Sequence, residues 1–218
     1  MSKLLNRVFV IFAFLSCTTV WAAPVENTPV EDPYQAMQTV VDTTFPQLQK
    51  LRKDDQLTPE VAQKIITEKV MPYIDYHYAA YMVMGRSLPK TTREQRDRFV
   101  AAFYHYLVTT YSNALSQYDE QTITIEKPRP YDGLRVMTVP AEINETGRPP
   151  IHLLFKFRRL KNNKWLAFDL IAEGVSLLAT NQSEVGGLIQ NKGIDEVSKM
   201  LETRQIKAAP LNDKKQSS

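Results

Sequence analysis

Apolar positions along this chain fall into two regimes, helical spacing up to about residue 118 and alternation after it. Asp32 followed by Pro33 reads as a helix N-cap and first position. Tyr34, Met37, Val41, Phe45 and Leu48 then recur every three or four residues and share one face. Lys50 to Leu57 is a charged connection, and Thr58-Pro59-Glu60 restarts a helix carrying Val61, Ile65, Ile66 and Val70, interrupted at Pro72. Ile74 to Gly85 predicts an apolar, aromatic helix. The next helix starts at a capping box, Thr91 with Glu94 or Thr92 with Gln95. Its stripe of Phe99, Phe103, Tyr106, Tyr111, Ala114 and Tyr118 runs to about Gln117.

After Asp119 the period becomes two. Ile123 and Ile125 mark a first strand, Leu134 to Ile143 a second with Pro140 at an edge or bulge, Ile151 to Leu160 a third and Trp165 to Ala172 a fourth. Helix returns at Asn181, with breaks expected at Gly186-Gly187 and Asn191 to Gly193, and a last short face of Ile194, Val197 and Leu201. Helices, then strands, then helices predict an α+β fold.

The N-terminus reads as an export signal. Lys3 and Arg7 precede the apolar run Val8 to Leu15, and Val20-Trp21-Ala22 offers a cleavage site after Ala22. The expected organisation is a signal peptide over 1–22, a flexible lead over 23–31, one domain over 32–206 and a disordered tail over 207–218. Cys17 is the sole cysteine, so cleavage removes the thiol with the signal; lipidation of Cys17 is the rival reading. A mature chain without cysteine has no disulfide and depends on its core. It carries 25 basic and 24 acidic residues, too even a balance for a nucleic-acid footprint.

Catalytic and metal motifs are sparse. His77, His105 and His152 form no HExxH or paired i,i+4 arrangement, and Asp75-Tyr76-His77 reads as polar groups at a helix boundary. No phosphate-cradling glycine loop or GxSxG elbow occurs. No metal and no cofactor is expected. Strict alternation sets Asp169 beside Trp165, Ala167 and Ile171, opposite Leu166, Phe168 and Leu170. Either a structural acid or, with a nearby Tyr, a proton shuttle fits that position. The ten tyrosines and nine phenylalanines are core by default, although clustered tyrosines also mark wet rims.

Several extended segments, MPYIDYHYAAYMVMG, the FxxxFxxYL spacing of the long helix, GRPPIHLLFKFR and WLAFDLIAEGVSLLATNQSEVGGLIQNKGIDEV, resemble in order and spacing the MlaC family of periplasmic phospholipid carriers. The resemblance runs from about Asp32 to Gln205. It implies an NTF2-like antiparallel sheet of about four strands, wrapped by helices with a helical extension, around a hydrophobic cavity. It also implies a non-enzymatic shuttle maintaining outer-membrane lipid asymmetry. The partners would be phospholipid, its acyl tails buried, an outer-membrane lipoprotein–porin complex, and an inner-membrane ABC transporter with its substrate-binding ring; no nucleic acid is expected.

Period and resemblance together line the pocket with Tyr78, Met82, Phe99, Phe103, Tyr106, Leu107 and Tyr111 from helices. Val139, Ile151, Leu153, Phe155 and Phe157 come from the sheet, closed by Ile171, Val175 and Leu178. Leu154, Leu166, Phe168 and Leu170 form a second apolar face, so helices on both sides of the sheet fit the pattern as well. Arg148 is the candidate head-group or docking contact, and Arg158 and Lys161 are expected to be exposed docking charges. The alternatives are an NTF2-like enzyme using Asp169 or His152 as base, and an exported adaptor that binds proteins without lipid.

Overall fold

A computed structural model describes residues 24–204 and 206; the expected signal peptide, Cys17 and the tail from 207 lie outside the described residues. Six α-helices and five strands follow in the order α1 (Pro33–Lys53), α2 (Pro59–Ile65), α3 (Tyr76–Met84), α4 (Arg93–Ser116), β1 (Thr122–Ile125), β2 (Val136–Asn144), β3 (Ile151–Arg159), β4 (Trp165–Ala172), β5 (Val175–Ser176), α5 (Leu177–Lys192) and α6 (Ile194–Glu202). Each of the first four starts on a side-chain cap. Asp32 accepts from the Tyr34 and Gln35 amides, Thr58 from Val61 and Asp75 from Tyr78. At α4 the box is Thr92 with Gln95, not Thr91 with Glu94: Thr92 Oγ1 accepts from the Gln95 amide while Gln95 Oε1 accepts from the Thr92 amide. Past α2 the chain widens into a π-turn at Ile66–Val70 and tightens into a 3-10 turn containing Pro72, which redirects it towards α3.

The strands form one antiparallel sheet in sequence order, five rather than about four. The addition is β5, two residues joined to β4 by Glu173 and Gly174, both at positive φ as a tight two-residue hairpin requires. Glu173 is held in that conformation by exchange with β3: its amide donates to the His152 carbonyl, and its carboxylate accepts from the His152 amide. Gly174 thus serves a hairpin turn. Ser176 then caps α5, which starts four residues earlier than expected.

Helix α5 also runs unbroken through Gly186-Gly187. Gly186 is where α5 meets α3: a Cβ there would lie 2.7 Å from the Val83 carbonyl oxygen. The glycine is a contact requirement, not a breaker. Gly186→Ala is expected to cost about 1–3 kcal/mol through overpacking, measurable by urea denaturation.

Register decides the two faces of the sheet. Met137, Val139, Ala141 and Ile143 of β2 stand opposite Phe157, Phe155, Leu153 and Ile151 of β3, giving a continuous apolar face. Between Lys156 and Phe157 the β3–β4 register slips: Phe157 pairs with Ala167, whereas Lys156 pairs with Asp169, leaving Phe168 as the extra residue of a bulge. The bulge inverts parity. Trp165 and Ala167 before it share the apolar face with Leu170 and Ala172 after it, while Leu166, Asp169 and Ile171 share the other. The expected grouping of Asp169 and Ile171 with Trp165 and Ala167 is therefore corrected.

Helices cover both faces. The N-terminal half of α1 lays Tyr34 and Met37 on Met137, Val139, Phe157, Trp165 and Ala167. Its C-terminal half packs Phe45 and Leu48 against Ile65 of α2 and Tyr118 beyond α4. On the opposite face, helices α3 to α6 share a core that includes Phe99, Phe103, Val185 and Val197 and takes in Phe168 from the bulge. Burial of each such side chain contributes about 1.5–3 kcal/mol.

Candidate functional site

The sheet divides the residues expected to line one pocket. Phe99, Phe103, Tyr106, Leu107 and Leu178 are buried in the helical core, with Tyr111 packed against it. Tyr78 meets the Phe168 ring edge-on, and Met82 is exposed on α3. Val139, Ile151, Leu153, Phe155 and Phe157 all stand on the apolar face. Ile171 is on the far face because of the bulge, and Val175 pairs with Ala172 at the apolar face's edge.

On the apolar face one row runs across all five strands: Ile125, Ala141, Leu153, Ala172, Val175. Two of its three central positions are alanine. The row on one side is Ile123, Ile143, Ile151, and on the other Val139, Phe155, Leu170. Ala141 and Ala172 are shorter than the flanking Ile, Val, Phe and Leu side chains, so the row forms a shallow trough across the strands, interrupted at its centre by Leu153. Ala141, Leu153 and Ala172 are buried, whereas Ile123, Ile143, Ile151, Phe155 and Leu170 are half-buried and Val175 is 57% exposed. The apolar residues clustered with that floor are all strand residues, while α1 occupies the Trp165 end. Five strands about 4.8 Å apart span roughly 19 Å. Half a bilayer's hydrocarbon thickness is about 15 Å. An extended alkyl chain fits that length.

Alternation in the sequence exposed the apolar face but not the trough. The alanines stand out only once register places Ala141 and Ala172 in one row, and that register is fixed by turns and by the bulge. Arg148 lies in the β2–β3 turn, beyond the Ile143–Ile151 pair, its guanidinium 3.1 Å from Glu145 and largely solvent-exposed. A separate groove of about 240 Å³ between α1 and α2 is lined by Gln47, Val61, Lys64, Ile65, Glu68 and Lys69; it shares no residue with the trough.

The titratable groups are engaged in structure. Asp169 is buried and accepts hydrogen bonds from Ser176 Oγ (2.8 Å) and the Leu178 amide (3.0 Å), with Lys156 Nζ 3.8 Å away. Asp75 caps α3 and accepts from Arg158, whose guanidinium also stacks 4.3 Å from the Tyr78 ring. That accounts for the Asp75-Tyr76-His77 triplet without a ligand. It also corrects the expectation for Arg158, which staples β3 to the start of α3 and is not a solvated docking charge; Lys161 remains exposed. Arg158→Ala should leave Asp75 buried without its counter-charge, at a cost of about 2–3 kcal/mol, read as a shifted denaturation midpoint. His152 faces Glu142 at 3.2 Å on the exposed side of the hairpin. Burial lowers the His105 pKa, pushes the Tyr106 phenol up to about 12, and raises Tyr111 further, helped by Tyr106 and Asp169. These phenols stay neutral in an apolar setting. Among the described residues no cluster of His, Cys, Asp and Glu is arranged to hold a metal ion, and no helix is long and apolar enough to cross a membrane.

A model of the MlaC protein family matches residues 38–203, from within α1 to the end of α6. The chain belongs to the MlaC family. It is 29% identical over 198 residues, 89% of either chain, to the intermembrane phospholipid transport system binding protein MlaC of Haemophilus influenzae. Among solved structures it is similar to a phospholipid-binding protein of Ralstonia solanacearum, determined in complex with a phospholipid. That likeness has a TM-score of 0.67 at 22% identity, over 79% of this chain and 96% of the other. The match extends the MlaC architecture to an open five-stranded antiparallel sheet between helices here.

Proposed function

We propose that this MlaC-family chain is a periplasmic carrier that binds a phospholipid by its acyl tails and moves it between membranes. It would exchange lipid with an outer-membrane lipoprotein–porin complex and an inner-membrane ABC transporter with its substrate-binding ring, with residues 32–206 as one lipid-binding unit. The carrying observation is the alanine-floored trough, apolar on both banks and about as long as an extended acyl chain. The relatives' names point the same way, each describing phospholipid binding or transport.

Carriage has a clear physical purpose. Each methylene left in water costs about 0.8 kcal/mol, so exposing ten costs roughly 8 kcal/mol. A carrier surface need only match the bilayer interior; a much stronger grip would trap the lipid. Half-buried isoleucines and one phenylalanine along an open face suit near-balanced hand-over better than a closed polar site would. The helical residues Tyr78, Phe99, Phe103, Tyr106, Leu107 and Tyr111 belong in this reading to the supporting core, and Met82 to the exposed surface of α3. Arg148, past the Ile143–Ile151 bank of the trough, is the head-group contact.

Native mass spectrometry of periplasmically expressed protein tests the proposal. A stoichiometric phospholipid adduct is the expected result. A clean apo mass that persists after incubation with phospholipid vesicles would overturn it.

A further inference from the structure

We propose that the outer edge of β2, at Val136 and Thr138, docks an extended acidic segment of a partner protein that adds to the sheet as a further strand. The inference does not depend on what the trough holds. The hydrogen-bond directions come first. β2 bonds β3 through alternate residues, and the Pro140 carbonyl points the other way, accepting from the Glu126 amide at 3.0 Å. Val136 and Thr138 share Pro140's parity, so their N–H and C=O groups point outward.

Among the described residues nothing takes those bonds. Pairing of β1 with β2 ends at Ile125 opposite Ala141, followed by that single Glu126 bond. Continuing the register would set Pro128 against Thr138 and Pro130 against Val136, and proline has no N–H to give. The loop instead leans onto the apolar face. The Arg129 amide donates to Tyr34 Oη, and the Tyr131 ring packs on Tyr34 and Trp165. At the opposite side of the sheet the stretch of β4 not paired with β5 is covered. Val30 exchanges two hydrogen bonds with Trp165, and the Asp75 amide donates to the Ala167 carbonyl. The fold therefore closes one edge and leaves the other open.

Side chains at the open edge fit one class of occupant. Val136 and Leu134 are exposed large apolar residues, and Thr138 is exposed. Lys127 flanks one end and Arg135 and Lys161 the other, all exposed and without a carboxylate within 4.0 Å among the described residues. The loop's own acids are Glu126, already paired with Arg129, and Asp132. A second copy would bring like charges together, whereas an acidic strand meets complementary charge and an apolar side-chain contact, with main-chain bonds supplying affinity.

The test is amide hydrogen exchange by NMR on the mature chain, with a synthetic peptide of alternating Val and Glu and its Val–Lys counterpart. The acidic peptide should slow exchange at Val136 and Thr138 by about tenfold at saturation, with no such effect from the basic one. Thr138→Pro removes an outward N–H but no bond to β3, and should abolish that protection. The double reversal Lys127→Glu with Arg135→Glu should abolish it with the fold untouched. No protection, equal protection by the basic peptide, or concentration-dependent protection without peptide (a second copy at the edge) would each overturn the proposal.

Discussion

Val175→Trp is expected to reduce the phospholipid that co-purifies with the protein by at least about tenfold, a change of only ~1.4 kcal/mol in relative affinity. Val175 closes the five-strand row at β5, next to Ala172, and is the most exposed of the large apolar side chains among the described residues. An indole there extends over the alanine floor and takes the space of several methylenes. Because the valine is exposed, the larger ring displaces no packed neighbour, and the denaturation midpoint should move little. Leu153→Trp aims at the same floor from its centre, but Leu153 is buried and its replacement also overpacks the sheet, at about 1–3 kcal/mol. Lipid analysis after gentle purification separates the two variants. Unchanged lipid content in folded Val175→Trp would remove the trough from the lipid path.

Much of the frame was legible in the amino-acid pattern, and the reasons are local. Asp32-Pro33 and the Thr92–Gln95 box carry their own hydrogen bonds within four residues, so caps can be read without tertiary knowledge. Strand alternation gave Met137 to Ile143 and Ile151 to Phe157 their shared face. What was hidden depends on partners distant in sequence. The Phe168 bulge inverts Asp169 and Ile171 through a slip against β3 that neither strand's composition announces. Gly186 resembles a helix breaker until Val83 is seen beneath it. Arg158 looks like a surface charge until Asp75, eighty-three residues earlier, meets it. The trough is the furthest removed, since it exists only when five strands bring Ala141 and Ala172 into one row.

Asp169 yields the second large effect, and its two substitutions separate a structural acid from a catalytic one. Its side chain is 2% exposed and ties three elements together: Lys156 of β3, Ser176 at the β5–α5 junction, and the Leu178 amide in the first turn of α5. A carboxylate at a helix N-terminus is further favoured by the helix dipole. Asp169→Ala removes two hydrogen bonds to a charged acceptor and strands Lys156 beside an apolar core, at an expected cost of about 3–5 kcal/mol. Lys156 is partly exposed and swings to water, which holds the loss near the lower end. Asp169→Asn keeps its one acceptor oxygen for the Leu178 amide and turns its NH2 towards Ser176 Oγ, a hydroxyl that can accept as well as donate, so about 1–2 kcal/mol is expected. Urea denaturation of both variants gives the stability order, and lipid content of the folded fraction gives the function. Carriage predicts normal lipid in Asp169→Asn, because Asp169 stands on the face opposite the trough and only the shape of the trough matters. A proton-shuttle role requires an acid at that position, so a turnover lost in Asp169→Asn at unchanged lipid content and modest stability cost would make the site catalytic.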